Sequence, residues 1–286
     1  TADREVVLCG GAINSPQLLM LSGIGPVEHL SELGISVAKA LSGVGQNLME
    51  HVQVSVAYAC NEPISLVGKD SPEQVAKYEQ AKMGLLTSNL GEAGGFVRLS
   101  SESCAPELQF HFGPDWFVRH GFEVPEGHGF TILPGLVGTK SVGELKLRSA
   151  DAFEDPLIDP ACLAEEEDVR VMLEGVKLAR KIAQASAFDR YRGAEFVPGE
   201  DVQDDDGLVE FIRNYSTSIY HPVGTCKMGN DDMAVVNNRL QVHGIEGLRV
   251  ADASIMPFIV NANTNAPCMM IGEKVADMIL EDNIER

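Results

Sequence analysis

Cations are scarce in this sequence: 22 lysines and arginines stand against 42 aspartates and glutamates, a formal net charge of -20. Phosphate binding requires neutralising cations, so nucleic acid is excluded as a partner, and the acidity reads as a solvated, self-repelling surface. Cysteine is sparse and scattered. Cys9, Cys60, Cys104, Cys162, Cys226 and Cys268 form no C-x-x-C pair, which leaves a zinc site or redox dithiol without support. Buried free thiols in a reducing compartment fit that usage. No apolar run approaches the roughly 18 residues that a membrane span requires. No basic stretch followed by an apolar one marks a secretory signal. Repeats, low-complexity tracts and linkers are absent, and so is any G-x-G-x-x-G.

What is present is enough to build a core. The chain has 286 residues, 44% of them apolar, sufficient for one large domain or two smaller ones. It begins at Thr1, and "REVVLCGGAIN" already reads as a buried strand running into a turn. An opening inside a strand points to a piece of a longer protein. Glu5 to Leu8 is a short apolar run closed by Gly10-Gly11, in the manner of a parallel-sheet strand. In "NSPQLLMLSGIG", Ser15 is a candidate N-cap, Pro16 the first helical position and Gly23 the stop. A short helix and a strand are expected over 26–40, and "LSGVGQNLMEH" reads as a glycine-rich loop.

Residues 52–60 alternate as a strand does, and Asp70 to Gly84 forms a polar amphipathic helix. "GGFVRLS", "PELQFHFGP", "GFTILPGLVG" and "GELKLRSAD" read as further strands, so a mostly antiparallel sheet is expected in the middle of the chain. Glu165 to Ala185 is the clearest helix. Val169, Met172, Leu173, Val176, Leu178, Ala179 and Ile182 form its apolar face, with acids at its start and bases near its end. A helix at 207–214, a strand pair near 239–251 and a final helix from Pro267 to about Glu281 complete the pattern.

The chemistry concentrates late in the chain, around "YHPVGTCKMG" (Tyr220 to Gly229). As a metal site, His221 and Cys226 supply two donors at an uncharacteristic spacing where three or four are needed. A base is reasonable because histidine titrates near neutrality and catalytic groups favour loops. A structural histidine before proline is equally compatible with the local residues. Further on, a strand over Leu248 to Ala251 ends in Asp252-Ala253-Ser254, and Pro267 opens a helix that Asn265 is placed to cap. The N–H groups of such a helix start attract negative charge. A well-capped helix with nothing bound satisfies the same residues.

Taken together, these segments resemble the glucose–methanol–choline (GMC) oxidoreductases, FAD enzymes that oxidise alcohols. "GAINSPQLLMLSGIG" is similar to the family's second signature. "GVGQNLMEH" resembles its G-V-G-x-N-L-x-D-H element, with Glu50 where aspartate is usual. "HPVGTCKMG" and "DASIMPFIVNANTNAP" resemble its catalytic and flavin-facing segments, and "EAGGFVRL" and "GELKLRSAD" fit as well. The likeness spans nearly the whole chain in family order, and it tilts towards the choline dehydrogenase-like branch. The fold it implies is α+β: a remnant of an FAD-binding Rossmann-like domain plus a substrate domain whose mostly antiparallel sheet is covered by helices. The implied division is 1–50 for the remnant, 51–220 for the substrate domain, and 221–286 for the catalytic loop and the return to the FAD domain.

The resemblance implies oxidation of a primary alcohol to an aldehyde, with hydride passing to flavin N5. His221 matches the catalytic base and Asn263 the second active-site position, where an amide orients the substrate oxygen. Asp252, Ala253, Asn265, Ala266 and Pro267 match residues that line the FAD, and no metal is implied. The missing G-x-G-x-x-G removes the cradle for the cofactor's pyrophosphate, so the chain by itself is expected to hold FAD poorly. The implied partners are a small alcohol and an electron acceptor, whether oxygen, a quinone or another compound. A cytoplasmic setting is expected, with or without membrane association. Two rivals are a hydroxynitrile lyase on the same fold and a non-catalytic fragment. A quaternary ammonium substrate would need an aromatic or acidic cage. Trp116 with Phe110, Phe112 and Phe117 is the one cluster hinting at it, and such rings are more often sheet core.

Overall fold

The computed structural model describes residues 2–284. Val6–Leu8 (β1) leads into Gly11–Leu21 (α1), Ile24–Gly25 (β2), Val27–Glu32 (α2), Lys39–Ala40 (β3) and Gln46–Leu48 (β4). Val52–Gln53 (β5), Val56–Cys60 (β6), Pro72–Ala81 (α3), Ala93–Val97 (β7), Leu108–Gly113 (β8) and Gly129–Leu136 (β9) follow. Next come Gly143–Lys146 (β10), Leu157–Asp159 (β11), Glu166–Ala183 (α4), Arg192–Val197 (β12), Asp205–Tyr215 (α5) and Thr217–Ser218 (β13). Leu248–Val250 (β14) and Asn265–Ile284 (α6) close the described chain. The architecture is mixed α and β, as the sequence pattern leads one to expect. None of the described helices is long and apolar enough to cross a membrane.

The elements gather into two compact units. The first takes the chain up to His51, Thr139–Ala164 and the chain from Tyr220; the second takes Val52–Gly138 and Glu165–Ile219. In the first unit β1 and β14 run parallel, with Val6 opposite Leu248 and Leu8 opposite Val250. Leu19 and Met20 of α1, Val250 of β14, and Ile271 and Val275 of α6 share its core with Leu145 of β10. Arg249, fully buried, ties this core to its neighbours: it donates to Glu5 at 2.7 Å and to the Arg239 carbonyl, and pairs with Asp282. A buried guanidinium is tolerable only when its donors are matched in this way.

The second unit carries a seven-stranded antiparallel sheet in which β6, β8 and β5 all pair with β9. The periodicity of α4 explains how the sheet is covered. Val169, Met172, Val176, Ala179 and Ala183 recur at three- and four-residue steps and are all buried. Gly175 lets the helix approach, since a Cβ there would lie 3.0 Å from Pro134 on β9. Trp116 and Phe110 are buried in this unit, and Trp116 Nε1 donates to the Gly127 carbonyl at 3.0 Å. These two rings act as sheet core.

Of the six thiols expected to be buried, Cys226 is, whereas Cys9, Cys104 and Cys162 are exposed. Three local expectations of secondary structure also need correction. Helix α1 starts at Gly11, so Ser15 is not its N-cap and Pro16 lies inside it. Helix α6 starts at Asn265, which is its first residue rather than its cap. Strand β10 does not join the large sheet. It pairs antiparallel with β4 and β11 to make a separate three-stranded sheet, because Leu145 belongs to the first unit's core.

Candidate active site

Proline inside α1 creates a specific need. Pro16 has no N–H to give to the carbonyl of Ala12 four residues earlier, and a buried carbonyl without a donor is costly. The hydroxyl of Thr225 fills that position, donating to Ala12 O at 2.6 Å. Thr225 belongs to the "HPVGTC" stretch, so the proline of one segment fixes the loop of the other. Asp252, at the end of β14, secures the same corner. One carboxylate oxygen accepts from Gly11 N at 2.9 Å and Ser15 Oγ at 2.5 Å, and the other accepts from Ser254 N at 2.8 Å.

Strand-like bonds hold the loop on both sides. Met49 and Val223 exchange backbone hydrogen bonds at 3.1 and 3.0 Å, and Gly45 N donates to the Thr225 carbonyl at 2.8 Å. Along the other edge, Cys226 N donates to Ser254 O and Met228 N to Ile255 O, each at 2.8 Å. Gly224 makes the crossing possible. Its φ is +93°, and a Cβ there would lie 2.2 Å from the carbonyl oxygen of Asn47. Only glycine combines that conformation with that clearance.

His221 is held within this frame by its backbone and by both ring nitrogens. Its N–H donates to Glu50 Oε1 at 2.7 Å, and the same oxygen accepts from His51 N at 2.9 Å. Its Nδ1 lies 3.0 Å from Nδ1 of His51, and its Nε2 lies 3.4 Å from Nδ2 of Asn263. His51 and Glu50 are buried, His221 is half-buried and Asn263 is exposed. The cluster therefore runs from the interior to the surface, with His221 Nε2 on the outward side. The structure brings together His221 and Asn263, the two residues expected at the reacting centre.

Cys226 is not a partner of His221 in this arrangement. It is fully buried in the core, where burial pushes its thiol well above the ordinary range and keeps it protonated. Among the described residues, no group of three histidine, cysteine, aspartate or glutamate side chains is arranged to hold a metal ion.

The expected cofactor-lining residues lie at two backbone termini of the same unit, the end of β14 and the start of α6, with the end of β1 beside the first of them. Parallel strands β1 and β14 both end here, β1 at the Gly10-Gly11 turn and β14 at Asp252-Ala253. A Cβ on Gly11 would meet nothing within 4 Å, so the space beside that turn is open. The first residues of α6, Asn265 and Ala266, are exposed, and Pro267 is half-buried behind them. The carboxylate of Asp252 is engaged in the internal bonds described above, which makes it a brace for the turn. Ligands of α/β sheets gather at the carboxyl ends of parallel strands, and anionic groups at helix amino ends.

Glu50 and His51, which contact His221, and Thr225, which anchors its loop, were not singled out for these contacts by sequence reading. Glu50 and His51 form the last two positions of "GVGQNLMEH", where a carboxylate next to a histidine was the available signal. Thr225 had none beyond its place in the loop, because its role depends on a proline 209 positions away, by the numbering of Pro16 and Thr225.

Comparison with known proteins gives consistent results. Two models described as GMC oxidoreductase match, the amino-terminal one over residues 1–53 and the carboxyl-terminal one over 139–272. The oxygen-dependent choline dehydrogenase of Pseudomonas savastanoi pv. phaseolicola is 44% identical over 282 residues, covering 97% of this chain and 50% of that protein. The enzyme of the same name from Escherichia coli O139:H28 is 42% identical over 283 residues, covering 98% of this chain and 51% of that protein. Among solved structures, formate oxidase from Aspergillus oryzae RIB40, studied for modification of its FAD, superimposes with a TM-score of 0.91 at 30% identity. That match covers 99% of this chain and 55% of the other. Pyridoxine 4-oxidase from Mesorbium loti gives a TM-score of 0.83 at 27% identity, covering 96% of this chain and 50% of that one. The chain spans about half the length of the curated relatives it matches.

Proposed function

The chain belongs to the GMC oxidoreductase family, and on that premise we propose that it carries the proton-handling part of an FAD-dependent alcohol oxidation. The proposal concerns the whole protein, because the chain spans about half of its curated relatives and contains no G-x-G-x-x-G. The division of labour follows the two units. The first holds the flavin-facing end and the histidine cluster, and the second supplies the substrate domain. The resident cofactor fits the first unit. The open space at Gly11 and the exposed amino end of α6 suit a planar group that carries negative charge when reduced. Asn265, Ala266 and Pro267 would line it at the helix start, with Ala253 at the end of β14 and Asp252 bracing the turn. When bound, FAD supplies the hydride acceptor.

The chain's own residues handle the proton. His221 presents Nε2 on the outward side of the cluster, where it takes the proton of the substrate hydroxyl. The amide of Asn263, 3.4 Å from that nitrogen, stands beside the same oxygen and donates to it as negative charge develops, which orients the alcohol and lowers the barrier. Glu50 keeps the His221 backbone fixed through both steps. Removing the proton raises the tendency of the neighbouring carbon to give up hydride, so the base and the acceptor work on adjacent atoms. Choline dehydrogenase-like alcohols are the substrate class favoured by the relatives' names, and the electron acceptor is oxygen, a quinone or another compound.

The observation that carries this reading is the convergence of His221 and Asn263 on one point at the surface of the unit. The test is flavin reduction in the flavin-loaded protein, followed by absorbance under anaerobic conditions with a primary alcohol. His221→Ala should slow reduction by roughly 10²-fold or more. Near-unchanged reduction would remove His221 from the mechanism.

A further inference from the structure

Burying an imidazole deprives two ring nitrogens of water, so a buried histidine needs polar compensation. His51 is fully buried. Its Nδ1 lies 3.0 Å from Nδ1 of His221, and the rings meet edge to face with centroids 5.2 Å apart and an interplanar angle of 85°. One proton is shared across such a contact, so one ring donates and the other accepts.

The opposite nitrogen of His221 decides which. Asn263 approaches Nε2 with its amide nitrogen, which carries only donors. Nε2 is therefore the acceptor there and bears the lone pair. The ring proton of neutral His221 must then sit on Nδ1, pointing at His51. His51 accepts it on its own Nδ1 and keeps its proton on Nε2. The common carboxylate oxygen of Glu50 holds both backbones, at 2.7 Å for His221 and 2.9 Å for His51. The two backbones are thereby tied to one atom, and the two rings to each other.

We propose that His51 is a positioning residue that fixes His221 in the Nδ1-protonated tautomer, so that Nε2 faces outward as the proton acceptor. The proposal rests on the reading of His221 as the base and names the device that makes it one. In the opposite tautomer Nε2 would carry a hydrogen and could not take a second proton without first losing it. When His221 gains a proton at Nε2, its Nδ1–H bond to His51 persists, so the ring does not rotate during the step. A third group orienting a base through its far nitrogen is an established arrangement, usually supplied by a carboxylate. Here a neutral imidazole does it without bringing a charge to the contact.

The tautomer can be read directly. Protein labelled with nitrogen-15 in its histidine rings is examined by long-range proton–nitrogen correlation, and the signals are assigned by single substitutions. In the unsubstituted protein His221 should show a protonated Nδ1 and a bare Nε2, and His51 the reverse. His51→Phe should move the His221 proton to Nε2, whereas His51→Gln, whose side-chain oxygen restores an acceptor, should keep it on Nδ1. A His221 ring with its proton on Nε2 in the unsubstituted protein overturns the proposal. So does an unchanged His221 pattern in His51→Phe with a dispersed amide spectrum. If His51→Phe does not fold, the unsubstituted protein and His51→Gln still decide between the two. No flavin or substrate enters the measurement. Fast flavin reduction in His221→Ala would thus defeat the redox reading alone, and a wrong tautomer would defeat the role of His51 alone.

Discussion

Strands β9 and β1 are both apolar, yet all eight residues of β9 are buried while Val6 of β1 is 45% exposed. The difference lies in their neighbours. β9 is paired by β5, β6 and β8 and covered by α4, all within the second unit. Among the described residues β1 pairs with β14 alone. The first unit has its own buried core, to which the Arg249 cluster, the Asp252 brace and the Thr225 hydroxyl add polar ties. His221 and Asn263 thus lie in the unit whose buried core is supplemented by individual polar contacts.

The largest effect expected from this contrast comes from cutting into the covered sheet. Ile132→Ala on β9 should lower stability by about 2–5 kcal/mol in a denaturant titration, and Val6→Ala on β1 by less than about 1 kcal/mol. Equal losses would mean that β1 is as deeply integrated as β9. Next comes Thr225→Val, which preserves shape and removes the donor to Ala12. A loss of about 1–3 kcal/mol is expected, and returning the Ala12 partner with Pro16→Ala in the same chain should recover part of it. No loss from Thr225→Val alone would show that the first unit does not depend on that hydroxyl.

The smallest effect is one of pH in the second unit. Burial lowers the affinity of His111 for its proton relative to an unfolded histidine. The unfolded chain therefore binds more protons as pH falls, and the native state loses stability. His111's contribution is complete above the ordinary imidazole value of about 6.5 and declines from there towards the depressed native value. His111→Gln should flatten that part of a stability-versus-pH curve. An unchanged slope would assign it to other groups.

Much of the second unit was legible in the sequence because its signals are local. The polar amphipathic pattern of Asp70 to Gly84 announces α3, whose start the Ser71 hydroxyl caps by accepting from Gln74 N at 3.4 Å. The three- and four-residue spacing of Val169, Met172, Val176 and Ala179 announces α4 and its buried face. The errors fall where distant residues decide. Ser15 followed by Pro16 has the local form of a helix start, but Ser15 Oγ bonds to Asp252 and the helix begins at Gly11. Strand β10 follows β9 in sequence, but Leu145 is claimed by another core.

By itself the sequence determined the family, the mixed α and β composition, and the identity of His221 and Asn263 as the residues to watch. Those are matters of residue type and local order, which a linear chain carries in full. Only the tertiary structure decided that His51 reaches His221, that Glu50 ties both backbones together, and that Thr225 completes a hydrogen bond denied by Pro16. Each of these depends on a distance of a few ångströms between segments far apart in the chain, and residue order does not record that distance.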